Sequence, residues 1–519
     1  MSMNQQYTEA DKREDVKILH GMGYAQELSR GMSKFSNFAI SFSIICILSG
    51  GINSFAQGTS SIGGAGAGIG WIVGCCVSGF FALCMAQIAS AYPTAGGLYH
   101  WSSILGNRFT GWVTAWLNLL GLITVLGAIN IGTAFFFTGT FGSLIGMTGT
   151  PGQIVIFVGV ITILQALINH LGIKLTTLLT NWSGIIIFGT AAALVILCLA
   201  LAPTHDFSRL WTFTNTSGDI GGGVWPHSDS LVYLFALCLL LPIYTITGYD
   251  ASAHTSEETY KAAHHVPRGI VDSVLWSSLA GWLMVMAIVI AIPDMAEGAK
   301  QGWNVFFYTI SSIMPDWLAK LLYLFILIAQ LLCGLATVTS ASRMIFAFTR
   351  DGGLPVISKW VSTVSPKYRT PVNAIWTGAI LEFLFVWMAQ TVSIGGTNIY
   401  TIVVNATLIF LFLSFSVPIA IGFFVIGTAK WPKMGPWNMG IPLYRLFALL
   451  SVLGMVLIIY IAIQPPNDKV LWITLAFLVL TALLWVLFEN RRFQGPPQGE
   501  LIAERQALIL AAEKAVGEV

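Results

Sequence analysis

"TITGYDASAHTSEETYKAAHHVPRGI" occupies residues 245–270. It follows the apolar run Leu231 to Tyr244 and sets Gly248, Tyr249 and Asp250 where a membrane-crossing helix is still under way. Two readings compete. Leu231–Asp250 is twenty residues long, enough to cross hydrocarbon about 30 Å thick, so the helix can stop there with Asp250 in water. Against this, Ala251-Ser252-Ala253 continues a helix-forming run, and the next acids are Glu257 and Glu258. A straight helix over 231–258 would be about 42 Å long, which demands an overhang, a tilt or a break. Inside the bilayer Asp250 must be paired or protonated, because an isolated charge there is costly and marks function.

The rest of the chain sets the context. It has 519 residues, of which 55% are hydrophobic and 9% charged, against about a quarter charged in a soluble domain. Apolar runs recur at membrane-spanning length. Twelve spans are predicted, at 37–61, 69–91, 109–141, 152–170, 175–201, 231–256, 269–292, 318–348, 372–390, 398–427, 442–463 and 470–488. The fold class is therefore an all-α polytopic membrane protein; the alternating ten-residue segments of a β-barrel do not dominate. We divide the chain into an N-terminal tail (1–36), a ten-helix core (37–427), two further helices (428–490) and a C-terminal tail (491–519). The first 36 residues mix acids and bases without an early apolar core, unlike a secretory signal. A net charge of +2 with no basic stripe gives no reason to expect a nucleic-acid partner. All seven cysteines lie in apolar stretches, as small buried hydrophobes, and no cluster has metal-ligand spacing. Neither a cofactor nor a metal is expected.

Lysine and arginine set the orientation. With the N-terminus inside, only Arg209, Lys300, Lys320 and Lys469 of the 25 basic residues fall outside. Both ends of the chain are then cytoplasmic, and a multi-pass protein of the cell membrane is expected.

Spans 1 and 6 differ from the others. Span 1 contains Ser49, Gly50, Gly51, Ile52 and Asn53; span 6 contains Thr245, Ile246, Thr247, Gly248, Tyr249 and Asp250. Each carries glycine and polar residues within an apolar run, and each heads a set of five spans. Paired interruptions of this kind point to an inverted-repeat transporter. A break inside the bilayer is tolerated where its freed backbone groups line a cavity. A half-helix starting near Ile52 would aim N–H groups and its positive end at an anion such as a carboxylate. The competing reading is that Gly50 and Gly51 are merely a close-packing site between helices. Glu382, in the middle of span 9, is a second ionisable candidate for proton coupling or a structural acid. Thr339 and Ser340 offer oxygens for an ion, or bonds to their own helix. His254 reads as an interface residue rather than a proton relay. The tail segment "LIAERQALILAAEKAV" (501–516) reads as a frayed amphipathic helix.

Four stretches resemble the amino acid–polyamine–organocation superfamily. "MAQIASAYPTAGGLYHWSS" (85–103) is similar to its junction of spans 2 and 3. "GYDASAHTSEETYKAAHHVPRGI" (248–270) is similar to its sixth span and following loop, and "SASRMIFAFTRDGGLP" (340–355) to the end of its eighth. "GYAQELSRGMSKFSNFAISFS" (23–43) resembles the amino acid/choline branch, which includes GABA permease-like carriers. The resemblance implies a five-plus-five inverted repeat with broken helices 1 and 6 and a substrate held between the breaks. It places Ser49–Asn53 at the carboxylate-binding break, Gly248-Tyr249-Asp250 at a glycine–hydrophobe–acid triplet, and Tyr244 at an aromatic that caps the site. Some proton-coupled relatives carry a lysine in span 5; here "NWSGIIIFGTAAAL" (181–194) has Ile187 there. The coupling ion thus stays open between a proton at Asp250, which we favour, and sodium at Thr339 or Ser340.

The expected function is secondary transport of a small amine-bearing solute, GABA or another amino acid, by alternating access. Choline or a polyamine is the alternative, with Tyr244 and Tyr249 available for cation–π contact. A membrane enzyme would need clustered acids, histidines or cysteines beyond His264-His265 near Glu257-Glu258. A channel would need a filter-like loop.

Overall fold

The computed structural model describes residues 7–391, 399–497 and 500–517. Helix dominates, and strands are absent among these residues. Among the described residues, eleven helices are long and apolar enough to cross a membrane, from Lys34–Asn53 to Lys469–Arg492. The remaining apolar helix, Leu231–Thr245, is shorter and ends where the opening stretch begins. The predicted start of span 10 at 398 lies outside the described residues; its helix is described from Ile399 to Val425.

Burial sorts the spans. The most apolar stretches of spans 1 and 3 are 89% buried, whereas those of spans 4, 5 and 9 are 33% buried and span 12 only 22%. Spans 1 and 3 therefore form the centre, and the latter group presents Leu, Ile and Trp to lipid. Small residues let the inner helices approach closely. A methyl on Gly121 of span 3 would stand 2.6 Å from Leu411 Cδ2 of span 10, so a larger residue there would have to push that side chain aside. Of the seven cysteines, Cys46, Cys84, Cys198, Cys238 and Cys333 are buried, and Cys75 and Cys76 sit on the apolar flank of span 2.

The two chain ends fold over the same face, here termed the tail face. Residues Glu9–Gly21 form a helix capped by Thr8 and Asp11. Its Asp15 carboxylate accepts from the N–H groups of Lys261 and Ala262 (2.8 and 3.1 Å), where span 7 begins. A negative group there complements the positive helix end. The C-terminal helix Gln506–Ala515 is not frayed onto solvent. Ile509 and Glu513 are buried, and Glu513 bonds His20 Nε2 (2.7 Å) and the Gln26 N–H (2.9 Å). The docking is explained by this carboxylate, which finds its donors on the N-terminal segment.

Candidate functional site

Span 1 is helical over Lys34–Ile45, turns at Cys46–Ser49, and resumes at Gly50–Asn53 and Phe55–Ile62. The turn lies about one helical turn ahead of the glycine pair, so Gly50, Gly51, Ile52 and Asn53 form the start of the second half-helix and Ser49 precedes it. Cys46 takes the left-handed conformation (φ 30°), a position that costs a non-glycine residue of order 1–2 kcal/mol. The N–H groups of Gly50 and Gly51 return to the carbonyls of Cys46 and Ile47 (3.1 and 3.0 Å). Those of Ile47 and Leu48 have no acceptor among the described residues.

Span 6 runs Leu231–Cys238 and Leu240–Thr245, unwinds over Ile246–Asp250, and resumes at Ala251–His254. Gly248 stands at φ 91°, a conformation open to glycine and closed to most side chains, and a methyl there would strike Ile44 of span 1. The N–H groups of Thr247, Gly248, Tyr249 and Asp250 have no acceptor among the described residues. The sixth span therefore breaks inside its apolar run, and Asp250 is fully buried.

The two breaks lie side by side. A methyl on Gly50 would stand 2.8 Å from Thr245 Cα, and one on Gly51 3.1 Å from Met284 Cε, so both glycines also serve close packing. Ser41 Oγ, one turn below the span 1 break, donates to the Tyr249 carbonyl and accepts from the Ser252 N–H (each 2.9 Å). Asn37, one turn further, donates to the Ser252 carbonyl (3.0 Å). This i, i+4 pair holds the second half of span 6 against span 1. Asp250 Oδ2 accepts from Asn118 Nδ2 of span 3 and lies 3.3 Å from each of Asn118 Nδ2 and His254 Nε2. Asp250 Oδ1, Tyr249 Oη, Thr247 Oγ1 and Asn53 Nδ2 are buried without a partner among the described residues. Tyr244 is buried nearby, and Thr245 Oγ1 bonds back to the Leu241 carbonyl (2.7 Å).

The other predicted residues lie elsewhere. Thr339 Oγ1 donates to Asn169 Oδ1 of span 4 (2.7 Å). Ser340 Oγ is buried and has no partner among the described residues. Glu382 is buried between spans 3 and 4, accepting from Thr162 Oγ1 (2.9 Å) and Asn130 Nδ2 (3.3 Å). It contacts neither break directly. Span 8 instead meets span 1 through residues the sequence reading passed over. Cys333 Sγ donates to the Ile44 carbonyl (3.3 Å) and Gln330 Nε2 to the Leu48 carbonyl (3.1 Å). No sequence signal marks these two. His254 was legible by its i, i+4 spacing from Asp250.

Access to this region differs between the two faces. On the tail face Arg343 grips Glu258 with two bonds (2.8 and 2.9 Å), and Arg350 grips Glu257 (2.8 and 3.0 Å). Beside them Asp351 accepts from Tyr24 and Tyr99 and meets His100 (2.6, 3.0 and 3.2 Å). Burial alone would raise the Asp351 carboxyl; the His100 bond and charge, then Arg350 and Tyr24, outweigh it and hold it below the usual carboxylate range. On the far face a cavity of about 510 Å³ opens between Ile52, Asn53, Phe135, Thr148, Trp303 and Phe307. Toward the chain ends the region is covered by these buried pairs, and on the other side the cavity reaches Ile52 and Asn53 in the second half of span 1.

Comparison with known proteins agrees with this architecture. The amino acid permease family model matches residues 32–488. Amino-acid permease BAT1 of Arabidopsis thaliana is 33% identical over 448 residues, covering 81% of this chain and 83% of that protein. Its rice homologue (Oryza sativa subsp. japonica) is 31% identical over 81% of this chain and 82% of its own. The GABA-specific permease of Saccharomyces cerevisiae is 29% identical over 70% of this chain and 65% of its own. The chain, a multi-pass membrane transporter rather than an enzyme, belongs to the amino acid permease family.

Proposed function

We propose that the protein is a secondary active transporter for GABA or another amino acid, working by alternating access and coupled to protons. One observation carries this reading: two adjoining helix breaks with six backbone N–H groups free of protein acceptors, beside a buried acid with one oxygen free. A zwitterion satisfies both sets. Its carboxylate takes N–H groups at the break and the positive end of the half-helix that starts at Gly50. Its ammonium takes Asp250 Oδ1, flanked by Tyr249 and the Thr247 hydroxyl. Glycines at the break let a ligand approach the backbone.

The twelve-span count follows from joining the two halves of the interrupted sixth helix, with five-plus-five inverted repeats around the breaks. The bias of Lys and Arg puts the tail face in the cytoplasm, so this conformation is open outward in the cell membrane. The proton is favoured over sodium by the chemistry of span 8. The Ile44 and Leu48 carbonyls already accept from Cys333 and Gln330, and Thr339 is engaged with Asn169. A cation there would have to displace those donors.

The test is counterflow in proteoliposomes. Labelled GABA, neutral amino acids, choline and putrescine are offered with and without proton or sodium gradients. Saturable counterflow of an amino acid, enhanced by an inward proton gradient, is the expected result. Exchange of choline or putrescine alone would refute the amino acid reading, and enhancement by sodium alone would refute the proton.

A further inference from the structure

The side of Asp250 that faces away from the cradle holds a second arrangement. His254 lies one turn further along span 6, and both side chains are fully buried. His254 Nδ1 stands 3.0 Å from the carbonyl oxygen of Ala95, in the "PTAGG" loop after span 2. A carbonyl only accepts, so Nδ1 carries a hydrogen. In a neutral imidazole Nε2 is then bare. It lies 3.3 Å from Asp250 Oδ2, within reach of a charge contact but not aligned as a hydrogen bond in this conformation, and Nε2 has no hydrogen-bond partner among the described residues. An ionised carboxylate offers only lone pairs, so two acceptors would face each other out of reach of water. One proton resolves the conflict, residing on Oδ2 and donated to Nε2, or on Nε2 and donated to Oδ2.

We propose that Asp250 Oδ2 and His254 Nε2 form a proton-binding site, with Ala95 fixing the tautomer. This deepens the proton-coupled reading and rests on it. The two oxygens of Asp250 then have separate tasks: Oδ1 meets the substrate ammonium and Oδ2 shares the proton. Asn118 Nδ2 steadies Oδ2 from span 3 and reaches Ser414 Oγ of span 10 (3.3 Å). The other titratable groups on the surrounding elements are engaged or peripheral. Tyr249 is adjacent. Tyr99 and His100 belong to Asp351, while Glu257 and Glu258 are matched by Arg350 and Arg343. Lys34 stands at the start of span 1, and His264, His265, Arg268 and Asp272 lie in the first turns of span 7. Among the described residues no lysine or arginine is within bonding distance of Asp250, which leaves the shared proton as the balancing charge. Opening of the tail face withdraws the Ala95 carbonyl, frees the ring, and releases the proton to that side. The balance is one proton bound from the far side and one delivered with each substrate.

The experiment uses the full chain in liposomes loaded with a pH-sensitive dye and supplied with the amino acid that shows counterflow. Protons and labelled solute are counted together. The wild type should move about one proton per solute. In His254→Gln the ratio should fall about tenfold or more, at whatever rate of solute movement remains, because an amide does not exchange a proton with the carboxylate. His254→Asn keeps an N–H near the Nδ1 position for the Ala95 carbonyl and serves as the better-folded version; it should lose the proton equally. An unchanged ratio in either folded variant overturns the site. A wild type driven by sodium with no proton movement overturns the coupling itself, a different result from the first.

Discussion

Arg343→Met removes a buried guanidinium and leaves Glu258 behind. Both side chains are inaccessible to solvent, and the two bonds are 2.8 and 2.9 Å. The Glu258 carbonyl also accepts from the N–H groups of Gly31 and Met32 (2.9 Å each), so the pair anchors the N-terminal segment to the end of span 6. Orphaning one member of such a pair typically costs about 3–5 kcal/mol, most of it the uncompensated charge. That is about two to three and a half powers of ten in the equilibrium of the closed tail face. Arg343→Met/Glu258→Met removes both charges, and apolar replacement of a buried pair is often neutral. The double variant should therefore recover most of the loss. Hydrogen exchange at Gly31 and Met32, read by mass spectrometry in detergent, reports it directly: protection collapses in the single variant and returns in the double. Equal protection in single variant and wild type, or no recovery in the double, would refute the argument.

Gly248→Ala forces a methyl into Ile44 and a side chain into positive φ; substrate binding should be lost, with partial return in Gly248→Ala/Ile44→Ala, measured by ligand-induced change in melting temperature. Asp351 has a folded-state carboxyl held below its unfolded value. Its contribution to stability is therefore present above the unfolded value and lost as pH falls through the folded one. Melting followed from neutral to acidic pH should show this loss, and Asp351→Asn should flatten the acid limb.

The spans were legible because each needs about twenty apolar residues, a signal that survives any tertiary context. Position within a break was less so. Gly50 and Gly51 advertise flexibility, yet they follow the turn, because their close packing against Thr245 and Met284 needs no side chain. The unwinding fell instead on Cys46–Ser49, where a left-handed cysteine gives no warning in sequence. In span 6 the glycine does occupy the unwound stretch, since φ 91° at residue 248 requires it. The polar partners were the hardest to read. Gln330 and Cys333 matter because the break frees carbonyls beside them, a fact of three-dimensional neighbourhood. The grip of Arg343 and Arg350 on Glu258 and Glu257 is of the same kind, with charges brought together from distant parts of the chain.

The distribution of thiols turns to practical use. Five cysteines are sealed in the interior, and Cys75 and Cys76 look onto an apolar groove with Trp71 and Leu275. A charged, water-borne maleimide thus meets no native target, and the unmodified chain is its own blank for labelling. A single cysteine placed at Asn53, which lines the far-face cavity and is only partly exposed, would then take label chiefly while that mouth stands open. Its labelling rate becomes a clock for the transport cycle.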